Sequence, residues 1–89
     1  MMPNYELIPE HMREGVRLYL ENGIEPGSFL RAVLENNFAL ACANADGINR
    51  EHLFAWVEFI WWEIPSNSWG SPEKVRAWID GRQAALPGA

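Results

Sequence analysis

From Ile8 onward the apolar residues of this chain recur at steps of three and four, and Gly, Pro and Asn punctuate the runs, which is the pattern of consecutive short helices. The first segment is read as a helix over Pro9 to Asn22, with Met12, Val16, Tyr19 and Leu20 on one face and Glu10, Glu14, Arg17 and Glu21 on the other. Proline at its start forfeits no hydrogen bond, because the first N–H groups of a helix have no intrahelical acceptor. Asn22-Gly23 closes it, since glycine enters the left-handed cap conformation without strain. Gly15, in the interior at a cost of about 1 kcal/mol against alanine, is read as a point where a neighbouring helix comes close.

A second helix is expected over about Pro26 to Asn36, burying Phe29, Leu30, Val33 and Leu34, and a third over Phe38 to Ala45, rich in alanine. Either Asn36 or Asn37 can cap the third helix through its side-chain carbonyl. One continuous helix over 26–45 is the alternative. Asp46-Gly47-Ile48-Asn49 breaks the chain again, and a fourth helix is expected over about Arg50 to Ile64 with Asn49 as its cap. After the loop Pro65 to Gly70, Ser71-Pro72-Glu73 supplies a hydroxyl cap, a first-position proline and an acid near the positive end of the helix dipole. That fifth helix carries Val75, Trp78 and Ile79 and is expected to stop at Gly81. No run alternates long enough for a strand. The expected fold is therefore all-α, a compact bundle of four to five short helices in a single domain over 1–89, with 1–7 and 83–89 poorly ordered.

Composition narrows the functional classes. With 89 residues, 48% of them hydrophobic and 21% charged, the chain is long enough for one small core. Seven Lys+Arg against twelve Asp+Glu give a net charge of −5, which argues against coating nucleic acid and against binding anionic membranes. One cysteine, Cys42, excludes an internal disulfide framework and is read as core packing. The absence of a basic start followed by an apolar run, and of a long apolar stretch, leads to an expected cytoplasmic location.

No motif in the chain assembles a reaction. The two histidines, His11 and His52, lack the spacing of a zinc pair, and no catalytic residue, metal site or cofactor is expected. Ser28, Ser66, Ser68 and Ser71 sit in turns or caps, outside any nucleophile elbow or phosphate-cradling loop. Gly70-Ser71-Pro72 is read first as a cap and second as an anion contact. The acids are dispersed. Glu10, Glu14 and Glu21 share one side of the first helix, and Arg13 and Arg17 interrupt them as on an ordinary solvated surface.

The aromatic residues give the sharper expectation. Five tryptophans lie in the chain, and the fourth helix alone holds Phe54, Trp56, Phe59, Trp61 and Trp62. On a helical wheel, Leu53, Phe54, Trp56, Val57, Ile60, Trp61 and Ile64 share an arc of about 160°, the width of a buried face. Phe59 and Trp62 fall outside it, with Glu58 beside them. One reading is that the other helices wrap this one, or that Trp62 folds over a neighbour; the sharper expectation is an exposed patch that docks on a partner or on a second copy of the chain, the latter giving a homodimer through the fourth helix. Trp69, in a loop, either plugs the end of the bundle, the favoured reading, or joins the contact surface.

The sequence resembles a family of small, uncharacterised phage and prophage accessory proteins. The likeness is carried by Ile8-Pro9-Glu10-His11-Met12, by Pro26-Gly27-Ser28-Phe29-Leu30 and by Trp69-Gly70-Ser71-Pro72, with Asn37-Phe38 and Asn67-Ser68 departing from the pattern. The resemblance implies an accessory gene of a temperate phage. Such genes often encode non-enzymatic proteins that block a host defence, CRISPR systems included, by binding a host protein or complex. The alternatives it leaves open are an oligomeric sequesterer of a signalling nucleotide, with Arg31, Arg50, Arg76 and Ser71 as anion contacts, and a structural or regulatory helper of the phage.

Overall fold

Helix boundaries follow from local capping. The computed structural model describes residues 2–85. Helix α1 (Glu10–Asn22) starts after Pro9 and ends at Gly23, whose φ of 67° is left-handed. There the N–H of Gly23 bonds the carbonyl of Tyr19 and the N–H of Ile24 that of Leu18, so two end carbonyls are satisfied. Helix α2 (Ser28–Leu34) is shorter than the sequence suggests. Asn36 takes a φ of 63°, and the Asn37 side chain accepts the N–H of Leu40, starting α3 (Phe38–Asn44). Residues 26–45 therefore hold two helices, not one.

The expected fourth helix over Arg50 to Ile64 is divided. Asp46, not Asn49, caps a short α4 (Gly47–Glu51) by accepting the Asn49 N–H at 2.7 Å. A turn at His52 separates it from α5 (Leu53–Glu63). After a 3₁₀ turn (Ser66–Ser68), α6 (Pro72–Ala85) passes through Gly81 where a stop was expected. Near the start, Tyr5–Leu7 forms a 3₁₀ turn, and the Tyr5 ring lies 5.9 Å from Phe59. Of the expected frayed ends, 83–85 belong to α6, while residue 1 and residues 86–89 lie outside the described residues.

Six α-helices and no strand among the described residues confirm an all-α bundle, with one helix more than expected. The core joins Val16, Tyr19 and Leu20 of α1, Phe29 to Leu34 of α2, Trp56, Phe59 and Ile60 of α5, and Val75, Trp78 and Ile79 of α6. Its polar atoms are paired. The Trp56 indole N–H donates to the amide oxygen of buried Asn49 at 3.1 Å, and the Trp78 indole donates to the carbonyl of Tyr19 at 3.1 Å. The Tyr19 hydroxyl donates to the carbonyl of Ser68. Cys42 is half-buried, and the core position on α3 belongs to Ala41.

The close helix approach falls at Gly23, not Gly15. A Cβ at Gly23 would come within 2.8 Å of the Ile79 carbonyl oxygen and the Arg82 Cβ on α6. Nothing lies within 4 Å of one at Gly15. Gly23→Ala should thus lose more than about 1 kcal/mol of unfolding free energy, and Gly15→Ala should gain about 0.5–1 kcal/mol. Urea unfolding measures both, and equal effects would contradict this packing. Asn49→Leu should cost about 1–3 kcal/mol by leaving the Trp56 N–H buried without an acceptor; a neutral result would show that this bond does not hold the two helices.

Candidate functional site: an exposed aromatic face

Helix α5 is apolar on nearly every side, so its burial is decided by what packs on it. Phe29 of α2 meets Trp56 edge-on at 5.5 Å, and Trp56 meets Phe59 at 6.1 Å, which fixes that side inward. Phe59, predicted to be exposed, is 0% exposed, enclosed by Tyr5 and Trp56. Trp62, predicted to be exposed, is 72% exposed. Phe54, Val57 and Trp61, which the wheel placed inside, are exposed as well. The buried arc is rotated by roughly 80° from the expected one.

The resulting face runs along α5 through Phe54, Val57, Glu58, Trp61 and Trp62. The Trp61 ring lies 5.9 Å from Trp69, which is half-buried against the core. Trp69 therefore plugs the bundle and also braces the exposed face. At the other edge, exposed Phe38 and Val57 line one apolar groove between α3 and α5. Exposed apolar groups joined in this way mark interaction surfaces more often than isolated ones do.

The residues predicted to hold an anion are engaged elsewhere. Arg31 and Arg76 do come together, but on a carboxylate: both donate to Glu25 Oε1, at 2.6 and 2.7 Å. Arg31 also reaches Glu35, and Arg76 lies 3.7 Å from Asp80. Arg50 donates to the carbonyl of Ala45 at 3.4 Å. The Ser71 hydroxyl caps α6 by accepting the N–H of Lys74 at 3.1 Å. These four residues form no common pocket in this arrangement.

One pairing had no signal in the sequence. His11 Nε2 lies 2.9 Å from Asp46 Oδ2, thirty-five positions away, and joins α1 to the start of α4. Both residues border a cleft of about 340 Å³ beside α1 and α2. Ser28 borders it too, and the ring's Nε2 is turned to Asp46. The ring of His52 donates from Nδ1 to the Ile48 carbonyl at 2.8 Å. No group of three metal-ligating side chains occurs among the described residues. No helix among the described residues is long and apolar enough to cross a membrane.

Comparison with protein families, with curated proteins and with solved structures gives no match for this chain.

Three surface carboxylates are held below their ordinary pKa. Arg76 and Arg31 do this at Glu25, the Asn49 N–H and then His11 at Asp46, and Arg17 at Glu14. A carboxylate whose pKa is depressed by folding stabilises the fold above its unfolded pKa and loses that contribution as pH falls through the folded one. The melting temperature should accordingly be steady from about pH 7 to pH 5 and fall below about pH 4. Glu25→Gln should shrink that fall in thermal melts followed by circular dichroism. A melting temperature unchanged down to about pH 2.5 would contradict the assignment.

Proposed function

We propose that this chain is a non-enzymatic binding protein that captures a partner protein on the exposed face of α5. The observation that carries the reading is the side-by-side exposure of Phe54, Val57, Trp61 and Trp62 on one helix whose opposite side is locked into the core. Tryptophan is enriched among residues that dominate binding energy, and a rigid helix presents it without an ordering cost. The resemblance to phage and prophage accessory proteins supports a host protein or complex as the partner, in the cytoplasm of the host, with interference in a defence system as the consequence. The nucleotide-sequestering alternative receives less support, because Arg31 and Arg76 already face Glu25.

The reading is tested by replacing Trp61 and Trp62 together with serine. Both are solvent-exposed, so the fold should be retained, with a change in stability within about 0.5 kcal/mol per site. Affinity capture from host cells, with the retained protein identified by mass spectrometry, should yield a stoichiometric partner with the unaltered protein. The double variant should lose at least about tenfold in affinity for it. Undiminished capture by a folded double variant would overturn the proposal.

A further inference from the structure

Glu58 stands inside the aromatic face rather than at its border. Phe54 lies four positions before it, Trp61 three after and Trp62 four after, and residues at these offsets are neighbours on a helix surface. All four side chains are exposed, and Glu58 forms no ion pair with any described residue. We propose that this arrangement is a receptor for a basic side chain: an arginine or lysine of the partner protein, with Glu58 as counter-charge and the three aromatic rings as its walls. The inference rests on the binding role proposed above and specifies the partner's chemistry.

The charge distribution of the whole molecule supports it. All seven cations are engaged internally. Arg17, Arg31 and Arg76 pair with carboxylates, Arg13, Arg50 and Lys74 donate to carbonyls, and Arg82 lies over the Trp78 ring at 4.1 Å. None of the seven pairs with Glu58, a carboxylate without a cation partner set among rings on a molecule of net charge −5. An indole face attracts a cation through its quadrupole, and a carboxylate beside it adds direct attraction. The Arg82–Trp78 contact is the same chemistry used within the fold. A second copy fits less well, because a two-fold contact through this face would bring two Glu58 side chains and two negative molecules together. A lipid surface would bury Glu58 without a counter-charge.

The probe is an alanine pentapeptide with a central arginine, beside the same peptide with neutral citrulline. Binding is followed by the NMR shifts of the Trp61 and Trp62 indole N–H groups, with those of buried Trp56 and Trp78 as internal controls. The arginine peptide should move the two exposed indoles saturably and bind about fivefold more tightly than the citrulline peptide. Glu58→Gln should remove that preference, and Trp62→Ala should weaken arginine binding about fivefold. No shift, equal binding of the two peptides, or an unaltered preference in Glu58→Gln would overturn the inference. So would concentration-dependent dimerisation in sedimentation velocity that depends on Trp61 and Trp62, or burial of those indoles in phosphatidylcholine vesicles. In partner capture, loss with the double tryptophan variant but full retention by Glu58→Gln would refute the basic-side-chain receptor alone. Retention by both would refute the docking face itself.

Discussion

The hydrogen bond from the Trp56 indole to Asn49 governs how the rest of the molecule is arranged. An indole N–H taken into a core needs an acceptor, and here the acceptor is a side chain on a different helix. Because the bond spans the turn at His52, it locks α4 and α5 together and fixes the rotation of α5 about its own axis. With Trp56 held inward, Phe59 follows it, completing a chain of ring contacts from Phe29 to Tyr5. Phe54, Trp61 and Trp62 are then turned outward by helical geometry alone. The exposed face is thus a consequence of how the buried side is satisfied.

The opposite side of the bundle supplies the rigidity that such a face needs. α1 and α6 meet where Gly23 leaves no room for a side chain, and the Trp78 indole grips the carbonyl of Tyr19 next to that point. Tyr19 in turn reaches the carbonyl of Ser68, and the N–H of Gly70 donates to the carbonyl of Leu34 at 2.7 Å. The loop that carries Trp69 is therefore tied at both flanks, to α1 and to the end of α2. The partner ring of Trp61 is held in place by the core and not by the surface.

Several helix ends were legible, because capping is local chemistry: Gly23, Asn37 and Ser71 act where their residue types predict. The face of α5 was not. Amphipathic arguments need a polar stripe, and this helix has only Glu58 and Glu63 to define one. Glu63 points the wrong way, since it is drawn toward the packed side to accept the N–H of Asn4 at 2.8 Å. Sequence reasoning thus anticipated that α5 holds more ring area than the bundle covers, and that Trp62 is exposed. It assigned Phe59 to the surface and Phe54 and Trp61 to the core because nothing local reveals Tyr5 and Asn49 as their competitors. The His11–Asp46 pair was hidden for the same reason, being made by tertiary approach across thirty-five positions.

An open face of two tryptophans and a phenylalanine is ordinarily a liability for self-association. In this chain the same residues that make it adhesive surround a carboxylate, on a molecule of net charge −5 whose cations are turned to internal partners. Like molecules repel, and attraction is restored when the approaching group is positive. Specificity of this kind does not require a deep pocket. It requires that the apolar gain be available only to a partner that also neutralises Glu58, because burying that carboxylate unpaired would offset much of what the rings contribute. Under the proposed binding role, the placement of one acid among three exposed rings would therefore discriminate between occupants as well as attract one.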